Sequence, residues 1–102
     1  MKYNKLIRDK IPGIIRDKGA VPITHKAKDE EYWEKLKDKL KEEVNEFLEN
    51  SDEEELADIL EVIYAICDFR KIGRERLEFI RKKKFEGRGG FEDKIILDEI
   101  KD

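Results

Sequence analysis

The chain carries one cysteine, one histidine, one tryptophan, one methionine and two prolines in 102 residues. The lone Cys67 excludes an internal disulfide and suits a reducing compartment. It lies in the most apolar stretch and reads as a plain buried thiol. The lone His25 has no Cys, Ser or acid at a catalytic spacing and reads as a surface residue. No segment approaches the roughly 20 apolar residues that span a bilayer. The opening MKYNKLIRDK is charged throughout and has no apolar run of signal-peptide length. A cytoplasmic protein that does not engage a membrane is expected. Charge of one sign is also lacking. With 26 acids against 23 bases the net charge is -3, whereas a binder of duplex nucleic acid needs a basic surplus to neutralise phosphates. Gly87-Arg88-Gly89-Gly90 lacks the strand and lysine of a phosphate-cradling loop, and a single Arg-Gly-Gly is poor evidence for RNA binding.

What is there is charge, at 48% of the residues, with apolar side chains confined to 38%. A single domain over residues 1–102 with one modest core follows. Ile11-Pro12 suits the opening of a short helix, since proline fits a first turn, and Gly19 ends it. Val21-Pro22-Ile23-Thr24 offers an edge strand. From Asp29 the pattern is firmly helical: Trp33, Leu36, Leu40, Val44, Phe47 and Leu48 recur at three- and four-residue steps. Ser51-x-x-Glu54 reads as a capping box for a second long helix, which carries Leu56 to Phe69 and ends at Gly73. A third helix has Leu77 and Ile80 inward, and residues 94–100 form an extended or helical tail. The expected bounds are 29–50, 52–72 and about 74–86. The fold class is therefore all-α: an antiparallel helix hairpin plus a third helix. The middle helix is apolar over about half its circumference, more than one partner helix covers. A homodimer or higher homo-oligomer with a four-helix-type core is expected.

The acids acquire meaning on that hairpin. A turn of a residue or two makes the helices antiparallel, so residues whose numbers share one sum lie opposite each other. Glu46 then faces Glu55, and Glu43 faces Asp58, with each pair spaced three apart on its own helix. Glu43 lies roughly 80° from the centre of the first helix's apolar stripe, and Glu55 falls inside the apolar arc of the second. A rectangle of four carboxylates calls for a compensating cation or protons. All-oxygen ligands without His or Cys suit Mg²⁺, with Mn²⁺ as a substitute. Chance spacing among so many acids is the competing account, and Glu30, Glu53 and Glu61 read as ordinary solvated surface.

Glu42-Glu43-Val44-Asn45-Glu46 followed by Glu55-Leu56-Ala57-Asp58 resembles the Glu-Glu-x-x-Glu … Glu-x-x-Asp signature of the MazG-like all-α nucleoside triphosphate pyrophosphohydrolases. The opening Tyr3-Asn4-Lys5-Leu6-Ile7-Arg8-Asp9-Lys10-Ile11-Pro12 and the late Arg88-Gly89-Gly90-Phe91 resemble its phosphoribosyl-ATP pyrophosphohydrolase-like branch. The gap between the acidic motifs is short for that superfamily, and Gly13 stands where relatives often carry an acid. The resemblance implies that Glu43, Glu46, Glu55 and Asp58 hold Mg²⁺, that Glu43 and Glu46 act in catalysis, and that Glu42 is an auxiliary acid. It implies a nucleotide substrate cut to the monophosphate and pyrophosphate. Lys84-x-x-x-Arg88 resembles the basic motif that follows the acidic ones, against a reading of Lys84 as a snorkelling surface lysine. Arg8 and Lys10 are further phosphate candidates, or else members of a local ion-pair cluster with Asp9. The rival classes are a non-catalytic helical interaction module and a nucleotide-binding sensor. A module has no reason to point the four acids at one another.

Overall fold

A computed structural model describes residues 3–101. It is all-helical: α1 (Ile11–Asp17), α2 (Asp29–Asn50), α3 (Glu53–Phe69) and α4 (Arg74–Arg88) follow in order, and there is no strand among the described residues. Pro12 sits in the first turn of α1. Gly19 at φ +90° leaves that helix through a conformation that carries no Cβ penalty only for glycine. Residues 20–28 are irregular, so the expected edge strand at Val21-Pro22-Ile23-Thr24 does not form. An edge strand needs a sheet to pair with, and Val21 and Ile23 instead stand exposed. Residues 94–100 likewise adopt no regular structure, and their apolar side chains are exposed.

The chain divides into two compact units, one running to Lys71 and the other beginning at Ile72. The first contains α1, α2 and α3 and every buried side chain among the described residues: Leu36, Glu43, Val62 and Cys67. The second is built on α4, which buries no residue. Leu77 is half-buried there, but Ile80 and Lys84 are exposed, so the inward stripe expected on this helix is not covered. A lone helix has no second surface of its own unit on which to bury it.

Within the first unit α2 and α3 pack against each other across a two-residue connection, Ser51 and Asp52. Their cross-contacts run in opposite directions along the chain. Asn50 bonds Glu55 near the turn, Glu43 meets Asp58 in the middle, and Trp33 meets Phe69 at the far end. The helices are therefore antiparallel, close to the register read from the sequence. At the far end the Trp33 ring stacks on Phe69 with centroids 5.8 Å apart, and Tyr32 meets Phe69 edge-on at 5.2 Å. Lys37 and Arg70 lie over the Trp33 ring at 5.1 and 5.2 Å. That ring closes the far end of the hairpin.

The turn itself differs from the expected capping box. Ser51 is the C-cap of α2, in the left-handed region at φ 53°, with its N–H donating to Phe47 O at 2.7 Å. Reversing the chain in two residues requires one left-handed residue, and Ser51 is used for it. The capping duty passes to Asp52, whose carboxylate accepts from the Glu54 N–H at 3.2 Å. The helix starts one residue later than read, and ends at Phe69 instead of near Gly73.

Candidate metal centre

Glu43 projects from the middle of α2 toward α3, and Glu55 and Asp58 stand three apart on the first two turns of α3. One oxygen from each of these three carboxylates lies within 4.8 Å of the others. The i, i+3 spacing on α3 and the antiparallel register produce this convergence. Glu46 is half-buried beside the cluster but outside that radius. It shares an open face of α2 with Asp38, Lys41, Glu42, Asn45 and Glu49. The four-cornered arrangement read from the sequence is thus three converging acids with Glu46 at the rim. On a helix advancing about 100° per residue, Glu46 is turned some 60° from Glu43, away from α3.

Glu43 is the unusual member. Its side chain retains 8% of its exposure, and Oε2 is a buried oxygen with no hydrogen-bond partner. Burial pushes the Glu43 pKa up. The hydrogen bond and charge of Lys39 oppose this, and the Glu46 and Asp58 carboxylates add to the upward push. Lys39 Nζ sits 3.3 Å from Glu43 Oε1 and 2.9 Å from Glu42 Oε2. For Glu42, burial also acts upward, but the hydrogen bonds from Lys39 and Lys5 outweigh it and hold the carboxyl below its usual range. Burial lowers Lys39 in turn, and its two acidic partners more than reverse that.

The N-terminal segment supplies more cations. Arg8 Nη2 donates to Asp58 Oδ1 at 2.7 Å, and Lys5 Nζ donates to Glu42 Oε1 at 3.0 Å. Arg8 therefore lies at the carboxylates and is not paired within Arg8-Asp9-Lys10. Lys10 is the exposed N-cap residue of α1. Lys84 and Arg88 are exposed on α4 in the second unit. His25 is exposed and paired with Glu31 at 2.8 Å, and Cys67 is buried as a free thiol. Lys39 went unread in the sequence, although its spacing three and four residues before Glu42 and Glu43 was a usable signal. The meeting of Arg8 with Asp58, fifty residues on, left none.

The donor set passes a chemical test for a hard divalent cation. It consists only of carboxylate oxygens, from three side chains, and one of those side chains, Glu43, carries a buried oxygen without a hydrogen-bond partner.

No known family's sequence profile matches the chain, and no solved structure does. An uncharacterized protein of Mycolicibacterium smegmatis is 48% identical over 42 residues, which is 41% of this chain and 43% of that protein. The similarity thus spans less than half of either chain.

Proposed function

We propose that this chain is a divalent-metal-dependent nucleotide pyrophosphohydrolase of the MazG-like kind, cutting a nucleoside triphosphate or related nucleotide to the monophosphate and pyrophosphate. The observation that carries the reading is the convergence with Glu55 and Asp58 of Glu43, a buried carboxylate whose Oε2 has no hydrogen-bond partner. Exposed acids repel one another and turn to solvent, and a helical interaction module gains nothing from burying one against two others. Glu43, Glu55 and Asp58 hold Mg²⁺ or Mn²⁺ in this reading, with Glu46 joining from the rim. A cation bound there would supply positive charge to phosphate oxygens and lower the pKa of the attacking water. Glu46, at the rim, would take the proton that water loses as its oxygen bonds to phosphorus and the bond to the departing pyrophosphate breaks. Arg8 brings positive charge for the polyphosphate. Lys10 is a further phosphate candidate, and the resemblance implies a phosphate-binding role for Lys84 and Arg88. A second copy of the chain covers the exposed apolar faces, and a reducing, cytoplasmic setting suits the free thiol.

The test is a panel of purified nucleotides with Mg²⁺, with the products identified. Asp58→Asn and Glu46→Gln should lower turnover by about 100-fold or more, because each deletes an anion at the site without changing side-chain size. Glu61→Gln, on an exposed position of α3, should stay within about twofold of the parent if it acts as an ordinary surface change. Full turnover in Asp58→Asn, or equal damage in Glu61→Gln, would sink the assignment.

A further inference from the structure

We infer that the Arg8 guanidinium is an exchangeable counter-ion of the carboxylate cluster, displaced from Asp58 by an entering divalent cation and thereby freed to bind the phosphate of an anionic ligand. This rests on the metal-site reading above and adds to it an ordered hand-over between two cations.

Three converging acids are faced by two side-chain cations, and the two are held very differently. Lys39 contacts both Glu42 and Glu43 and is 17% exposed, so it is fixed among its partners. Arg8 contacts Asp58 through one nitrogen, with the pair 56% and 37% exposed. A single-pronged, half-solvated pair adds little stability and forgoes the two-pronged geometry that makes arginine–carboxylate pairs strong. A divalent ion among Glu43, Glu55 and Asp58 competes for the same carboxylate and repels the guanidinium at short range. Arg8 is the cation that yields.

The backbone is built to survive that release. Arg8 O accepts the N–H of Ile11 at 3.0 Å, tying it to the start of α1. Upstream, Lys35 Nζ donates to Asn4 O at 2.7 Å and Lys5 pairs with Glu42. The segment is thus anchored on both sides of Arg8, and only its side chain needs to swing. A freed guanidinium beside a bound divalent cation is suited to phosphate oxygens, which it can engage with two parallel N–H donors.

The distinguishing signature is a pair of effects of opposite sign. Arg8→Gln should bind Mn²⁺ alone about threefold to fivefold more tightly by calorimetry, since a competitor for Asp58 is gone. The same variant should bind magnesium pyrophosphate about fivefold to tenfold more weakly. Arg16→Ala, which removes the same charge from an exposed position on α1, controls for a diffuse field effect and should change neither by more than about twofold. Arg8→Ala repeats the measurement, with helical content checked by circular dichroism. Unchanged or weaker Mn²⁺ binding in both Arg8 variants, or weakening of both ligands together, overturns the exchange. An equal gain in Arg16→Ala does so too. If the parent protein binds no Mn²⁺, the metal reading fails and the inference falls with it. If Glu43→Gln abolishes Mn²⁺ binding while the Arg8 variants match the parent, only the inference falls.

Discussion

At the scale of single residues, Glu43 is held against its own solvation. Its folded pKa is raised, chiefly by burial, so its ionised form is the one that folding disfavours. The stability linked to Glu43 is fully present below its ordinary pKa of 4.5, and is lost as pH rises through the higher folded value. Glu42 is the reverse case, because its lowered pKa contributes stability above 4.5 that disappears as pH falls through the folded value. Glu43→Gln should therefore stabilise the metal-free protein at neutral pH by on the order of 1 kcal/mol, or about 4–8 °C in Tm. Melting in a chelator at pH 7 and again near pH 4.5 checks this. The gain should shrink at the lower pH, where the parent's Glu43 takes up its proton. A variant less stable than the parent at both pH values would mean that the Lys39 contact outweighs the burial.

At the scale of elements, everything at the site depends on the α2–α3 turn. Ser51 sits at positive φ, where a side chain is strained, and Asp52 caps α3. Asp52→Ala should cost about 1 kcal/mol by loss of the cap, whereas Ser51→Gly should stabilise by about 0.5–1 kcal/mol by relieving the left-handed strain. Urea denaturation of both variants separates this turn from the one read in the sequence, in which Ser51 was the cap and its replacement would be harmful. Ser51 and Asp52 are both good caps, and only the need for a left-handed residue in so short a reversal decides between them.

At the scale of the whole molecule, the hairpin does not cover its own apolar surface. Leu48 near the end of α2 is 70% exposed, and Leu56 and Leu60 at the start of α3 are 52% and 46% exposed. Leu48 and Leu56 lie near the turn, and Leu60 one helical turn further along α3. Exposed aliphatic side chains concentrated in one place mark an interaction surface more often than isolated ones do. Sedimentation at micromolar concentration should give a dimer or larger. Leu60→Glu, which buries an unpaired charge in any such interface, should weaken association by at least about tenfold. A folded monomer for the parent chain would refute self-association while leaving the carboxylate site untouched. No helix among the described residues is long and apolar enough to cross a membrane.

The sequence by itself determined the helical class, the two long helices, their antiparallel sense and the facing of Glu43 with Asp58, because helical period and a two-residue turn are local and leave few solutions. Tertiary structure decided how the acids are arranged. The stripe of α2 centres near Trp33 and Leu40, but the side packed on α3 lies roughly 60° around the helix. That rotation fully buries Leu36, draws Glu43 inward and leaves Val44 and Leu48 exposed. It brings Glu46, which lies roughly 130° from the stripe centre, only as far as the rim. Periodicity reports which residues prefer burial, whereas the orientation of one helix on another is set by which side chains interlock, and no single helix encodes that. For the same reason the partner of Arg8 was invisible: a contact across fifty residues exists only once the hairpin has brought Asp58 to the place where the N-terminal segment crosses it.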